Sequence, residues 1–295
     1  MVKIGFIGAG TVGTALAVRL AEKGYTVVAV ASRARSSADR LAGLLDGCQA
    51  YDSKQTVADL ADLVFVTTPD DDVPEVVSEI NWCSGQSVVH CSGVDSLDVL
   101  EKARQDGAWV GGFHPLQSFA SAVHAIENLP GSTFALEGEP PLLDHLKEMA
   151  QSLDGNAVVL GLGDKALYHA AAVIACNYTV TLMKMATDLW KTFGADPDDA
   201  VKALLPLLKG TLNNIENVGL PDCLTGPIAR GDIGTVMKHI EAMNQKAPEI
   251  VSTYRDLGLQ TIPIALNKGK IDLARAEELR LLFNESNSKQ HLEVA

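Results

Sequence analysis

Lys165 and His169 stand four residues apart in Asp164-Lys165-Ala166-Leu167-Tyr168-His169, so on a helix they share one face. An ammonium beside an imidazole is an acid assembly. Reduction of a carbonyl or imine leaves charge on the heteroatom, and a positioned donor there contributes about 10² to 10⁴ in rate. The plain alternative is a solvent-facing lysine in a first turn and a packed helix histidine. Cys176 continues the same face with Asn177 on its shoulder, which makes Asn177 a candidate substrate contact. His114 closes an apolar run in Gly112-Phe113-His114-Pro115-Leu116-Gln117, where a neutral imidazole could polarise a substrate oxygen, with Gln117 beside it; a turn histidine fixed by Pro115 is the other reading. Ser92, in His90-Cys91-Ser92-Gly93, could hold the substrate or a cofactor amide, or be a structural hydroxyl. Thr225-Gly226-Pro227-Ile228-Ala229-Arg230-Gly231-Asp232 offers backbone amides and the Arg230 guanidinium to a carboxylate, unless Arg230 pairs with a neighbouring acid.

A second group of residues has phosphate chemistry. Gly8-Ala9-Gly10-Thr11-Val12-Gly13 is a G-x-G-x-x-G sequence that follows a short apolar run and opens a helical pattern. Gly8 permits a tight turn, Gly10 a close backbone approach to a pyrophosphate, and Gly13 close packing of helix on strand. The stretch Ala31-Ser32-Arg33-Ala34-Arg35-Ser36-Ser37 lies about 20 residues on, where a carboxylate would select a ribose hydroxyl. It holds no carboxylate. Ser32, Arg33, Arg35 and Ser36 offer charge-assisted donors to a 2′-phosphate, so the expected cofactor is NADP; the alternative is that both arginines are solvated loop charges. Thr67, Thr68 and Pro69 end a later apolar run and are expected to meet the cofactor through their backbone.

These residues need a scaffold that brings strand ends together. The pattern VKIGFI, glycine turn, TVGTALAVRLAEKG, then YTVVAVAS reads as strand, helix, parallel strand. Further strands are expected over residues 61–69, 86–93 and 108–115, helices over 72–80 and 95–106, and a final strand, helix, strand set ending near residue 162. This alternation predicts an α/β Rossmann fold, a doubly wound and mostly parallel sheet, across residues 1–162. Helical periodicity then dominates: 164–193, 197–217 opened by Asp196 and Pro197, 232–257 opened by Asp232, and 271–287, so residues 163–295 are expected to form an all-helical domain.

Composition narrows the function classes. The 295 residues carry 24 Lys and Arg against 37 Asp and Glu, a net charge of −13, and no basic patch is evident, which disfavours nucleic acid and anionic membrane surfaces. No apolar run is expected to reach the roughly 18 residues of a membrane span, and the N-terminus runs straight into a strand without a signal-peptide pattern, so a cytoplasmic protein is expected. Five cysteines are scattered without metal-ligand spacing, which predicts free thiols and no metal site.

The layout resembles the 6-phosphogluconate and β-hydroxyacid dehydrogenase superfamily, which includes ketopantoate and pyrroline-5-carboxylate reductases. That resemblance implies Lys165 as general acid; His169 stands where those families carry Asn. GFHPLQ is similar to the His-Pro motif of prephenate and arogenate dehydrogenases, which implies a histidine contact to the reacting oxygen. GFIGAGTVG, HCSG, GFHPLQSF, the Lys-x-x-Tyr-His helix start and LTGPIARGD resemble oxidoreductases that pair a Rossmann-like domain with a helical domain of unknown function 2520. The resemblances together imply NADPH-dependent reduction of a small oxo acid or cyclic imine, ketopantoate-like first. Lys165 would donate the proton, His169 and His114 would orient the substrate, and a homodimer would form through the helical domain. A prephenate-type oxidative dehydrogenase and a non-catalytic NADP sensor remain as alternatives.

Overall fold

The computed structural model describes residues 2–284, and its contacts group into two compact units that divide after residue 177. The first unit opens with β1 (Lys3–Ile7), α1 (Thr11–Glu22) and β2 (Thr26–Ala31). It continues through α2 (Arg35–Ala42), β3 (Gln49–Tyr51), α3 (Lys54–Leu60), β4 (Leu63–Val66) and α4 (Val73–Ser78). Next come β5 (Ser87–His90), α5 (Glu101–Gln105), β6 (Trp109–Leu116), α6 (Ala122–Asn128) and β7 (Thr133–Gly138). It closes with α7 (Leu142–Ser152), β8 (Asn156–Val159) and α8 (Lys165–Ala175).

The eight strands form one sheet in the order β3-β2-β1-β4-β5-β6-β7-β8. All pairings are parallel except β6 with β7. Strand residues alternate between the two faces, as the period of two requires. Leu63 and Phe65 pack with α1, α6 and α7, whereas Val64 and Val66 pack with α3, α4 and α5. Phe6 stacks on Phe65 at 5.2 Å, and Phe65, Phe113 and Phe134 follow edge to face or tilted, at 5.8 and 4.7 Å, so a row of rings runs across the strands. With helices covering both faces, the ends of β1, β2, β4, β5 and β6 open on one carboxyl edge.

The second unit contains α9 (Asn177–Lys191), α10 (Pro197–Val218), α11 (Ile233–Lys246), α12 (Pro248–Asn267) and α13 (Leu273–Asn284). Asp196 caps α10 by accepting from Asp198 N, with Pro197 at its first position, and Asp232 caps α11 by accepting from Thr235 N. Its core joins Val236 and Ile240 of α11 to Ile262 and Ala265 of α12 and to Ala276, Leu279 and Phe283 of α13.

Several elements differ from expectation. The α2, β3, α3 and α6 segments are regular structure where the sequence pattern predicts none. The helix expected over 232–257 is two, because Pro248 begins α12 and Ala247 leaves helical geometry with φ −154° and ψ 58°. The helix expected over 164–193 changes at Cys176 into α8 and α9. By length and composition Lys165–Lys191 is nonetheless apolar enough to cross a membrane, with a mean hydropathy of 1.3 over its most apolar window. That corrects the expectation that no segment would be: single His and Lys residues interrupt the run without lowering its average enough. The expected tail helix reaches the described residues only as far as Asn284; residues 285–287 lie outside them.

Candidate functional site

The turn after β1 is built by its glycines. Gly8 has φ +114°, and a Cβ there would lie 2.6 Å from the Thr67 carbonyl; a Cβ on Gly13 would lie 2.4 Å from Thr67 Oγ1 and 2.5 Å from Gly8 O. Those two glycines are structural, because they let α1 and β4 close on β1. Gly10 is different. A Cβ there would meet no atom within 4 Å, and Gly10 stands at the N-cap of α1 with no side chain capping the helix. The amide end of a twelve-residue helix is therefore presented to open space, as an anion requires.

Ser32, Arg33 and Thr68 line a cavity of about 320 Å³ beside this turn, together with Asp52, Lys54, Asp72 and Glu75. Thr68 Oγ1 is buried there without a hydrogen-bond partner. An orphaned hydroxyl, an uncapped helix end and a glycine with free space fit a dinucleotide phosphate group. The Arg33 side chain is 91% exposed and 3.7 Å from Asp72. Arg35 is committed elsewhere, to Asp39 at 2.8 Å and Asp52 at 2.9 Å, and these hydrogen bonds raise its pKa. Of the two arginines expected to meet a phosphate, Arg33 is the less encumbered. Ser36 lies in the first turn of α2. Thr67 donates its hydroxyl to Gly8 O at 2.8 Å, so its side chain braces the turn, and Pro69 leads into the short 3₁₀ turn Asp70–Asp72.

Further along the same edge, side chains converge from β5, β6, β7 and α8. Lys165, the first residue of α8, is 4% exposed, and its ammonium makes a close ion pair with Glu137 of β7. His90 Nε2, at the end of β5, is 3.4 Å from Lys165 Nζ. His114 Nδ1 of β6 is 2.8 Å from the Tyr168 hydroxyl, and the His114 and His169 rings sit edge to face at 6.2 Å. Helical spacing puts Lys165, Tyr168 and His169 on one face of α8. Gly93 makes room for the group, since a Cβ there would lie 2.6 Å from His169 Cδ2 and 2.8 Å from His114 Nε2. Gly112 does the same below, where a Cβ would crowd the Glu137 carboxylate and the Lys165 ammonium.

Burial sets the protonation states. It pushes His90 down to about 3 and His114 down to about 4, with the Lys165 charge adding to both. It pushes the Tyr168 hydroxyl up to about 12. At neutral pH both imidazoles are uncharged and the phenol keeps its proton.

A cavity of about 670 Å³ opens on this cluster, lined by His114, Tyr168 and His169, by the Gln117–Phe119 segment, by α8 to its end and by Cys176 and Asn177 beyond it. Among the described residues, no lysine, arginine or carboxylate lines it. Its proton-bearing side chains are the Tyr168 phenol, the His114 and His169 imidazoles, the Cys176 thiol and the Ser118 hydroxyl.

Two family models cover most of the chain: a Rossmann-like domain at residues 1–115 and a domain of unknown function, DUF2520, at residues 132–261. The chain joins a Rossmann-like domain to a DUF2520 domain. The 2-hydroxy-3-oxopropionate reductase of Escherichia coli K12 is 25% identical over 210 residues, 69% of this chain and 70% of that one. Protein BF3122 of Bacteroides fragilis, assigned to the NADP oxidoreductases, superposes with a TM-score of 0.72 at 25% identity over 89% of this chain and 98% of its own. Protein TM1727 of Thermotoga maritima superposes with a TM-score of 0.69 at 28% identity over 86% and 98%. The polar cluster draws on both domains: the Rossmann-like part supplies His90 and His114, and the DUF2520 part supplies Glu137, Lys165, Tyr168 and His169.

Among the expected site residues, the fold brings Lys165, His169 and His114 together and places Gln117 and Asn177 on the cavity. Lys165 is beneath the cavity rather than on its wall. Ser92 is buried and its hydroxyl accepts from the amides of Val94 and Asp95, which fixes the turn after β5. The Gln117 amide donates to Asn128 O at 3.2 Å and accepts from Ser118 N, holding the approach to α6. Arg230 ends the 3₁₀ turn Ile228–Arg230 in the second unit, with its side chain exposed. Sequence reasoning missed Glu137, His90 and Tyr168. Glu137 carried a signal, as a lone carboxylate in the apolar strand Thr-Phe-Ala-Leu-Glu-Gly.

Proposed function

We propose that this chain is an NADP-dependent reductase acting on a small carbonyl or imine compound. The observation that carries the reading is one sheet edge holding both an open, uncapped helix end after a glycine turn and, a few strands along, a cavity walled by proton-bearing neutral groups. The resemblance to the 2-hydroxy-3-oxopropionate reductase and to BF3122 supports the same reading. The bound cofactor would supply a hydride to an electrophilic carbon. Gly8, Ala9, Gly10 and the amides of Thr11, Val12 and Gly13 would hold its pyrophosphate, and Ser32, Arg33 and Thr68 its adenosine end.

The Lys165–Glu137 pair pins the first turn of α8 against β7 and so sets Tyr168 and His169 beside His114. Lys165, expected as the direct proton donor, would then act from beneath the cavity by fixing those groups. Oxo acids, ketopantoate among them, and cyclic imines are the substrates of first choice. A homodimer through the helical domain fits the exposed apolar side chains of Val180 on α9 and Leu207 and Leu212 on α10, which a second copy would cover.

The test is NADPH oxidation, followed at 340 nm, across 2-oxo acids, aldehydes, ketones and cyclic imines, with NADH in parallel. Turnover that prefers NADPH is the expected result. Absence of binding by either reduced dinucleotide would remove the reading.

A further inference from the structure

We propose that Tyr168 is the catalytic acid of this site, delivering its phenolic proton to a substrate carbonyl oxygen and recovering one through His114. This rests on the reductase reading and deepens it. Three observations carry it. Lys165, the residue whose position first suggested an acid, is 4% exposed, engaged by Glu137 and His90, and absent from the cavity wall. Tyr168 lines the cavity, and its hydroxyl is 2.8 Å from His114 Nδ1. His114 in turn reaches toward Gly93 and His169 through its other nitrogen, at a point where Gly93 leaves space that a side chain would fill.

The step balances as follows. The carbonyl carbon gains a C–H bond from the hydride, the π pair moves onto oxygen, and that oxygen forms an O–H bond with the Tyr168 proton. The phenolate left behind takes the proton from His114 Nδ1. His114 accepts a proton from water at Nε2, so the ring leaves the step as its other neutral tautomer and resets by exchange with water. One hydride and one solvent proton enter, and an alcohol leaves. The groups facing the relay are His90 from β5, Glu137 from β7, and Lys165 and His169 from α8.

A phenol held near 12 and an imidazole held near 4 do not titrate between pH 7.5 and 9, so wild-type reduction of a carbonyl substrate should be flat across that range. In Tyr168→Phe the proton must come from solvent. The single-turnover rate with saturating NADPH should fall by about a hundredfold or more and then drop about tenfold per pH unit. NADPH affinity, read by quenching of protein fluorescence, should be unchanged. His114→Leu should leave the first turnover near the wild-type rate, since the phenol still carries its own proton, but slow steady-state turnover and make it fall with rising pH. His114→Asn, whose amide N–H can hydrogen-bond the phenolate but cannot give it a proton, should stay as slow as His114→Leu, and a wild-type steady-state rate in either variant overturns the relay. If Tyr168→Phe does not fold, the His114 pair carries the test alone. A Tyr168→Phe enzyme that keeps the wild-type rate, or is slower but flat with pH, overturns the proposal while leaving the reductase reading intact. Reduction of imines but of no carbonyl overturns the proposal as well. A wild-type protein that binds no dinucleotide overturns both.

Discussion

The turn after β1 and the cluster around β6 lie on the same sheet edge but are made of different material. The turn consists of backbone: three glycines, a free helix end and one orphaned hydroxyl. The cluster consists of side chains drawn from four elements, with a buried ion pair underneath and two uncharged imidazoles on top. The first is local in sequence and tolerates exposure. The second exists only once the sheet has formed, and it carries the electrostatic cost of burial.

That difference predicts where the molecule is fragile. Replacing Lys165 by Met leaves the Glu137 carboxylate, 11% exposed, without its partner, a change that costs about 3 to 5 kcal/mol when one half of a buried pair is removed. Urea unfolding should register that loss. Lys165→Met with Glu137→Leu should regain much of it, because no charge is then stranded. A single-variant loss below about 1 kcal/mol would mean that the pair is screened and does not anchor α8.

The buried histidines give the next effect. Unfolded histidine titrates near 6.5, whereas His90 and His114 are held at about 3 and about 4 in the fold. Below pH 6.5 the unfolded chain binds more protons than the folded one, so the stability associated with these groups is complete above 6.5 and declines as the pH falls toward their folded values. By pH 5 each should have removed on the order of 1 to 2 kcal/mol. His90→Gln should flatten part of that slope, and an unaltered slope would show that His90 is solvated. The glycine turn contributes nothing to it.

Legibility in the sequence follows the same divide. The G-x-G-x-x-G turn was readable because its conformational demands fall on adjacent residues, and the sheet was readable because apolar runs alternate with helical periods. Lys165, His169 and His114 were recognisable singly by residue type and by their position at element ends. Their grouping was not readable: His90, His114 and Glu137 meet because β5, β6 and β7 are neighbours, and β7 runs antiparallel to β6. The α2 segment was hidden by its polar sequence Arg-Ser-Ser-Ala-Asp-Arg-Leu-Ala, which buries only Ala38 and Leu41. The α11–α12 break was hidden because apolar spacing continues through Ala247, and only Pro248 marked it.

Within the turn itself, two substitutions of the same kind should separate fold from binding. Gly13→Ala drives a Cβ into Thr67 Oγ1 and Gly8 O and should cost about 1 to 3 kcal/mol, lowering the melting temperature. Gly10→Ala meets no atom within 4 Å and has φ −79°, so its stability should be that of the wild type. NADPH binding should nevertheless weaken at least tenfold, about 1.4 kcal/mol, if the pyrophosphate approaches the backbone there. Unchanged binding in Gly10→Ala would place the anion elsewhere.

The smallest effect should come from Arg33. Its side chain is 91% exposed and 3.7 Å from Asp72, so Arg33→Ala should leave stability untouched. If the guanidinium instead serves a 2′-phosphate, losing one charge-assisted contact should weaken NADPH about tenfold and leave NADH as it was. Arg35→Ala is the matched control. Its guanidinium already serves Asp39 and Asp52, so its loss should alter NADPH affinity less than that of Arg33. Equal loss in the two variants would mean that both arginines leave their carboxylates for the phosphate, and that this part of the edge, too, is built from side chains rather than backbone.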